Sequence, residues 1–281
     1  MNIDFAGKTV IVTGGGHGFG RAIAHAFAAR GATTWTCDVN AEGLAVTRKE
    51  SNPGGDGRLN VRTVDVTDAE AVGRAAERVG VRLDGLVDNA GIALAAPLEY
   101  LPLDELRRQL EVNVVGQLAV IQALLPALRA ARGRIVLIGS IAGTSSLPFL
   151  GPYAISKFGL EALADALRVE LAPEGIHVSI VRPGTIATPI WTKRQPVADA
   201  LPPEALERYG GRLAAMRSFA ARRAANAAPA ESVARAIEHA LSDDRPRSRY
   251  LVGRDAHIRA AIERLPDRLR DRLIRQALLG G

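Results

Sequence analysis

The chain has 281 residues, of which 47% are hydrophobic, enough to build the core of one large α/β domain rather than two small ones. Its single cysteine, Cys37, excludes an internal disulfide and a cysteine-based metal cluster, and no stretch reaches the roughly 18–20 continuous apolar residues of a membrane span. The net charge of +6 comes from scattered arginines and only 4% of the residues are aromatic, so we expect solvated helix faces and no nucleic-acid binding.

The predicted elements alternate along the chain. Residues 1–13 lead directly into a strand without a basic stretch and a cleavage site, so we expect no signal peptide and a cytoplasmic protein. Apolar or β-branched runs predict parallel strands at 8–13, 32–37, 61–65, 84–88, 134–139, 176–181 and 250–252. Helical spacing of apolar residues predicts helices at 18–30, from Asn40 to about 51, from Asp68 onward, at 104–131 with a break near Asn113, at 153–171 and at 232–241.

This alternation implies right-handed crossovers between parallel strands. We therefore predict a single domain over 1–281 with an α/β fold. Its core is a Rossmann-type, doubly wound parallel sheet of about seven strands with helices on both faces.

Two segments depart from the alternation. At 183–228 the prolines, Trp191 and the Gly210–Gly211 pair predict a substrate-binding loop with short helices. The tail at 254–281 places apolar residues at helical spacing among arginines, namely Leu269, Leu273, Ile274 and Leu278. Such a helix either packs on its own domain or a partner subunit, or lies on a membrane surface, and we favour packing.

A glycine-rich loop, TGGGHGFG at 13–20, separates the first strand from the first helix. Glycines allow the backbone to turn sharply and to approach a pyrophosphate, while the helix N-terminus offers N–H groups and a positive dipole to that anion. The spacing is GxxxGxG rather than GxGxxG, and glycines also mark plain turns. The position after a buried strand nevertheless favours dinucleotide binding by Gly14, Gly18, Phe19 and Gly20.

Asp38 closes the second predicted strand. An acid at this place accepts hydrogen bonds from the adenosine ribose hydroxyls and repels a 2′-phosphate, and Val39 offers such a phosphate no positive charge. The alternative is that Asp38 caps the next helix, a role that Asn40 can fill. We therefore predict that the cofactor is NAD rather than NADP.

Tyr153 and Lys157 stand at positions i and i+4 of a predicted helix, on one face. The ammonium favours a tyrosinate and lowers the pKa of the phenol from ~10 toward neutrality, so that Tyr153 can take or return an alcohol proton. A bare YxxxK is common by chance, but here it occurs in a chain with a nucleotide loop. Ser140 follows the fifth strand, where ligands of parallel sheets bind, although alone it would indicate only a turn.

Together these motifs resemble the short-chain dehydrogenase/reductase family, in its NAD-preferring, steroid/retinol dehydrogenase-like branch. The TGxxxGxG loop, DNAG at 88–91 in place of NNAG, and PGxxxT at 183–188 match over roughly residues 5–190. The catalytic tetrad of the family is matched in order and spacing by Asn113, Ser140, Tyr153 and Lys157.

The resemblance implies the roles of the tetrad. Tyr153 is the general acid/base, and Lys157 lowers its pKa and binds the nicotinamide ribose, so both also contact the cofactor. Ser140 orients the substrate oxygen, so Ser140 and Tyr153 form the substrate contacts. Asn113 holds a water that links Lys157 to solvent, or kinks the helix, or does both.

The resemblance also implies further cofactor contacts. These are Asp65 and Val66 at the adenine, Asn89 and Gly91 after the fourth strand, and Pro183, Ile186 and Thr188 on the nicotinamide side. Asp88 departs from the usual asparagine, which puts the local bracing of the strand end in doubt.

The sequence thus predicts an NAD(H)-dependent oxidoreductase that interconverts a secondary alcohol and a ketone by hydride transfer, without a metal. Apolar residues at 93–97, 142–150 and 183–228 favour a lipophilic, steroid- or retinoid-like small-molecule substrate. A polyol or sugar dehydrogenase and a non-catalytic NAD-binding regulatory protein are the alternatives, and the complete tetrad argues against the latter. The resemblance further implies a homodimer or homotetramer, with the helices at 104–131 and 153–171 at the interface.

Overall fold

Short runs of β-branched and aliphatic residues form the strands of one parallel sheet. The computed structural model describes residues 4–186, 196–225 and 227–279. The strands are β1 (Thr9–Thr13), β2 (Thr33–Asp38), β3 (Arg58–Thr63), β4 (Gly85–Asp88), β5 (Arg134–Ile138), β6 (His177–Pro183) and β7 (Arg249–Val252). They lie in the order β3-β2-β1-β4-β5-β6-β7, and every neighbouring pair is parallel.

Helices connect these strands. They are α1 (Gly18–Ala29), α2 (Ala41–Lys49), α3 (Ala69–Ala76), α4 (Leu103–Leu110), α5 (Gly116–Ala131), α6 (Gly151–Glu170), α7 (Pro196–Asp199), α8 (Pro203–Ala224), α9 (Ala230–Ser242), α10 (Arg254–Ile262) and α11 (Asp267–Leu279). The strand order runs outward in both directions from the β1–β4 pair. The predicted doubly wound α/β sheet of seven strands is therefore confirmed.

Two apolar cores, one on each face of the sheet, hold the helices. On one face α5 and α6 contribute Ile121 and Leu160, which pack with Leu137 of β5. On the other face α1 and α9 contribute Phe27 and Ile237. Each of these five side chains is at most 1% exposed, and burying one contributes about 1.5–3 kcal/mol. The edge of the sheet that carries the predicted site is therefore rigidly supported.

One long helical run, 103–131, widens in its middle. α4 leads into a π-helical turn at Glu111–Val115 and continues as α5, so the predicted break near Asn113 is a π-bulge. By length and composition this run could cross a membrane. This is weak evidence, because the core helix of a globular domain meets the same criteria. Here Leu124 and Leu128 are buried in the core of the domain.

Two predictions need correction beyond shifts of one or two residues. β3 spans Arg58–Thr63 rather than 61–65, because it pairs residue by residue with β2, from Thr33 to Asp38. The segment 183–228 contains the 22-residue helix α8, where we predicted only short helices. The Gly210–Gly211 pair lies inside it, and each glycine costs about 1 kcal/mol of helix stability, which the surrounding alanine, leucine, glutamate and arginine residues offset.

The tail forms α10 and α11, and α11 packs on α8. Leu278 is buried, whereas Leu269 and Leu273 are 45% and 38% exposed. Only the end of the predicted apolar stripe therefore packs fully against the domain.

Candidate active site

The carboxyl ends of the strands meet at one edge of the sheet, and a crevice opens where the strand order reverses between β1 and β4. It forms a cleft of about 480 Å³. The residues that line it include nine of those predicted to contact a cofactor: Gly14, Gly18, Phe19, Gly20, Asp38, Asp65, Val66, Asn89 and Gly91. The fold thus brings residues from four separate loops to one place.

The glycine-rich loop is packed too tightly for side chains, as Gly14 and Gly20 show. Gly14 has φ +71°, and a Cβ on it would lie 2.9 Å from Asn89 Nδ2. A Cβ on Gly20 would lie 2.1 Å from Gly14 O. α1 begins at Gly18, and the side chain of the preceding His17 does not cap it. The loop and the first turn of α1 thus form a cradle that fits a pyrophosphate.

The Asp38 carboxylate lies against this cradle. Oδ2 accepts a hydrogen bond from Gly16 N–H and Oδ1 accepts one from Asn40 N–H, each at 2.9 Å, and His17 Nδ1 lies 3.6 Å from Oδ2. Burial raises the pKa of this carboxyl, but the bonds from His17, Asn40 and Gly16 outweigh burial and hold the pKa below its ordinary value. Asp38 is therefore an anion at neutral pH. The cap of α2 is Asn40, so the alternative role for Asp38 is ruled out.

Thr13, which our sequence reasoning missed, ties the end of β1 to the end of β4. Its hydroxyl oxygen accepts hydrogen bonds from Asn89 N–H and Ala90 N–H, each at 2.9 Å, and donates to Asp88 Oδ1 at 2.8 Å. Asn89 Nδ2 donates to Thr13 O at 2.8 Å. The acid at position 88 thus still braces the strand end that the sequence left in doubt.

Asp88 itself is fully buried. Its Oδ2 has no hydrogen-bond partner within the ranges that the structure describes. Burial raises the pKa of Asp88 to about 7, against the opposing effects of the Thr13 hydrogen bond and the Lys157 charge. This chain therefore keeps a carboxyl that titrates near neutral pH inside the site.

Three buried amides at four-residue spacing anchor the backbone after β4. Asn113, in the π-turn, accepts a hydrogen bond from Ile92 N–H at 2.8 Å and donates to Ile92 O at 2.9 Å. Gln109 and Gln117 donate to carbonyls of the same segment, at 2.7 Å and 2.9 Å. We predicted only Asn113, although amides at i, i+4 and i+8 within an apolar helix could have indicated the whole row.

Tyr153, Lys157 and Ser140 come together beside the ends of β4 and β5. Tyr153 and Lys157 lie in the first two turns of α6 and are 7% and 5% exposed. Ser140 is hydrogen-bonded to the Tyr153 hydroxyl. Lys157 Nζ donates to Ile138 O at 2.8 Å and lies 5.7 Å from the centre of the Tyr153 ring.

The protonation of this group differs from our prediction. Burial raises the pKa of Tyr153 to about 12, and the hydrogen bond from Ser140 only partly opposes it. The predicted lowering by Lys157 is absent because desolvation of the phenol dominates and the ammonium is bonded to Ile138 O. Burial also lowers the pKa of Lys157 to about 8, while the charges of Asp88 and Glu161 raise it.

Among the described residues, the predicted contacts Pro183 and Ile186 are not part of the lining of this cleft, whereas Asp65 is. Pro183 is the last residue of β6, and Ile186 forms an isolated bridge with Ala228. Asp65 is exposed in the loop after β3, where Oδ1 accepts hydrogen bonds from Thr67. Thr188 lies outside the described residues.

Two side chains of α10 also reach this edge and were not predicted. Asp255 Oδ2 accepts a hydrogen bond from Thr185 N–H at 2.7 Å, and Arg259 donates to Ser145 O at 2.8 Å. Nothing in the local sequence pattern indicates these contacts, because they join residues 70 and 114 positions apart that the pairing of β6 with β7 helps to bring together.

Comparisons with known proteins agree with this geometry. Residues 8–198 match the family model described as short chain dehydrogenase. Retinol dehydrogenase 16 of Homo sapiens is 37% identical over 265 residues, covering 89% of this chain and 82% of the relative. An NADPH-dependent 3-dehydrocapnine reductase of Ornithobacterium rhinotracheale is 34% identical over 277 residues, covering 95% of both chains.

The fold comparison gives the same result. The crystal structure of a short-chain dehydrogenase from Streptomyces avermitilis superposes with a TM-score of 0.77 and 31% identity, covering 96% of this chain and 95% of the other. The chain belongs to the short-chain dehydrogenase family of oxidoreductases, in its steroid/retinol dehydrogenase-like branch.

Proposed function

We propose that the protein interconverts a lipophilic secondary alcohol and a ketone with NAD(H), and that Tyr153 is the general acid/base. The observation that carries this proposal is the contact of the Tyr153 hydroxyl with Ser140, which follows β5 at the same edge of the sheet as the glycine-lined cleft. A pure binding protein would not need a buried phenol, hydroxyl and ammonium at this place.

The residues of the cleft fit a dinucleotide. The glycine cradle and the N-terminus of α1 would hold the pyrophosphate, Asp38 would accept hydrogen bonds from the adenosine ribose, and Asp65 with Val66 would flank the adenine. When bound, the nicotinamide supplies or accepts the hydride.

Asp38 supports NAD over NADP. Its carboxylate is held as an anion next to the cradle, where a 2′-phosphate would be repelled. The relative from Ornithobacterium rhinotracheale is named as NADPH-dependent, so kcat/KM must be measured with both cofactors. Comparable values with NAD and NADP would contradict the preference.

Side chains of this protein would transfer the proton to and from the substrate oxygen. Ser140 would hold the substrate oxygen by a hydrogen bond, and the Tyr153 hydroxyl would donate its proton to that oxygen in reduction and take it back in oxidation. Lys157 would carry the positive charge that stabilises the tyrosinate left behind. Asn113 would hold a water on the way from Lys157 to solvent.

We assign substrate selection to the segment 183–228, which leaves the sheet at the carboxyl end of β6. Its helix α8 packs Tyr209 against Phe149, with ring centres 6.0 Å apart, and Phe149 lies on the loop between β5 and α6 with φ +65°. Leu201, Ala205 and Leu213 form the apolar cluster beside these rings. This lining supports a lipophilic substrate.

A substrate screen with NAD and NADH across steroids, retinoids, other alcohols and sugars tests the activity. Tyr153→Phe should abolish turnover and leave NAD binding intact. Tyr250→Phe is the matched control, because that hydroxyl bonds to Arg247 N and His239 away from the cleft. Substantial turnover by Tyr153→Phe would exclude the proposed proton path.

We also propose that the subunits associate through α6 and the adjoining π-turn. Ile155, Phe158 and Val169 of α6 are 44%, 46% and 70% exposed, and Val115 is 49% exposed. A face this apolar is typical of a buried subunit contact. Phe158→Glu should shift the mass measured by light scattering toward the monomer, and an unchanged mass would contradict this assignment.

A further inference from the structure

The carboxylate of Asp255 touches two separate parts of the active edge. Asp255 lies in the first turn of α10, directly after β7. Its Oδ2 accepts a hydrogen bond from Thr185 N–H at 2.7 Å and lies 3.0 Å from an Arg223 guanidinium nitrogen. A Cβ on Gly184 would lie 2.1 Å from Asp255 Oδ1, so the carboxylate rests directly on the backbone that leaves β6.

The backbone that Asp255 holds is also fixed from its other side. Gly184 N–H donates to Val252 O at 2.8 Å, Ala228 N–H donates to Thr185 O at 3.0 Å, and Ile186 bridges to Ala228. Residues 184–186 are thus clamped between β7, the residues before α9 and the Asp255 side chain. In the proposed function this is the backbone beside the nicotinamide.

The second partner of Asp255 belongs to another element. Arg223 is in the last turn of α8, the helix to which we assign substrate selection, and its guanidinium also lies over the Phe219 ring at 5.3 Å from the centroid. A single carboxylate therefore joins the end of α8 to the backbone after β6.

α10 makes a further contact one turn later. Arg259, at i+4 from Asp255, donates to the carbonyl oxygen of Ser145 at 2.8 Å and to the hydroxyl of the same residue. Ser145 lies in the loop that begins with Ser140. One face of α10 thus touches the loops after β5 and β6 and, through Arg223, the helix α8.

The carboxylate of Asp255 compensates the positive charges of Arg223 and Arg259 around this contact. Burial raises the pKa of its carboxyl, but the hydrogen bonds from Thr185 and the charge of Arg223 bring the pKa below its ordinary value. Burial and the nearby charge of Arg223 lower the pKa of Arg259 to about 10, while Glu263 and Asp255 raise it. Loss of the carboxylate charge would leave two neighbouring guanidinium groups less well compensated.

We infer that Asp255 is a positioning residue of the reaction, which couples the seating of α8 to the placement of the backbone beside the nicotinamide. This inference rests on the proposed function. Its physical basis is that a displacement of about 1 Å in a group that positions the reactants can cost about a hundredfold in rate.

Asp255→Asn tests the inference, because the amide oxygen still accepts from Thr185 N–H while the attraction for Arg223 is lost. We expect kcat to fall by about tenfold, KM for the alcohol to rise, and the emission of bound NADH to shift, while the Kd of ADP-ribose changes by less than about twofold. Arg223→Gln should reproduce these effects, and the double variant should be no worse than either single variant. Arg254→Gln, an exposed charge on the same turn, is the control.

Three outcomes overturn the inference. In the first, Asp255→Asn matches Arg254→Gln in kcat, in KM and in the emission of bound NADH. In the second, the effects of Asp255→Asn and Arg223→Gln add independently. In the third, ADP-ribose binding weakens as much as NADH binding, which indicates general damage. If Asp255→Asn fails to fold, Arg223→Gln carries the same measurements from α8.

Binding measurements on the complexes with NADH and with ADP-ribose distinguish a failure of this inference from a failure of the proposed function. If the unmodified protein turns over no alcohol or ketone, the proposed activity fails. The comparison of NADH with ADP-ribose then still decides whether Asp255 places the nicotinamide.

Discussion

Replacing Asp88 by asparagine should make the stability of the fold less dependent on pH. The buried carboxyl has its pKa raised from 3.8 to about 7, a difference of about three units. Each unit is worth about 1.4 kcal/mol, so the free energy of unfolding should fall by about 4 kcal/mol between these two pKa values. It falls because the carboxyl ionises in the unfolded chain while it stays neutral in the folded protein. The neutral carboxyl contributes fully below about pH 4, and its contribution is lost as the pH rises to about 7.

The pH dependence distinguishes the effect of losing the charge from the effect of placing an amide at this position. Asparagine places an amide nitrogen where Oδ2 stands without a hydrogen-bond partner in the described part of the chain, which costs about 1–3 kcal/mol at every pH. Between about pH 5 and pH 8, however, the unmodified protein should lose about 3 kcal/mol that Asp88→Asn does not lose.

Urea unfolding followed by circular dichroism, at fixed protein concentration and several pH values, measures this difference. Asp56→Asn removes the same charge from an exposed loop and should leave the pH dependence unchanged. If Asp88→Asn retains the pH dependence of the unmodified protein, Asp88 is not the buried group that titrates near neutrality.

Three further predictions concern the same edge. Asp38→Asn should raise the ratio of kcat/KM with NADP to that with NAD by about tenfold or more, because the charge that repels a 2′-phosphate is gone; an unchanged ratio would remove Asp38 from cofactor choice. In the cofactor-free protein, burial raises the pKa of Tyr153 to about 12. An absorbance titration should therefore show no difference in tyrosinate content between the unmodified protein and Tyr153→Phe below about pH 10. A difference at neutral pH would show that Lys157 already ionises the phenol. Gln109→Leu should lower the free energy of unfolding by about 1–3 kcal/mol, because Leu94 N–H loses its acceptor, while Gln122→Leu, on the exposed face of α5, should not.

Local sequence patterns predicted much of this site for a simple reason. The glycine loop and the Tyr153–Lys157 pair are defined by spacing within one turn or one helix, so their geometry follows from backbone periodicity alone. The length of α8 was not predictable in this way, since the Gly210–Gly211 pair indicates a turn unless the helix formers on both sides are weighed against it.

Contacts between strands were not predictable from spacing. Thr13 and Asp88 are 75 positions apart, and their hydrogen bond exists only because β1 and β4 are neighbours in the sheet. The same is true of Asp255, which reaches Thr185 through the pairing of β6 with β7.

The sequence by itself determined the doubly wound sheet and the edge at which the site lies, because parallel strands joined by helical crossovers must bring their carboxyl ends together. Only the tertiary structure decided how Tyr153, Lys157 and Asp88 hold their protons. Burial depends on neighbours from several strands and helices at once, and it is the largest cause of the pKa shift of each of these three groups. The spacing of Tyr153 and Lys157 indicates only the nearby charge, whose effect is smaller.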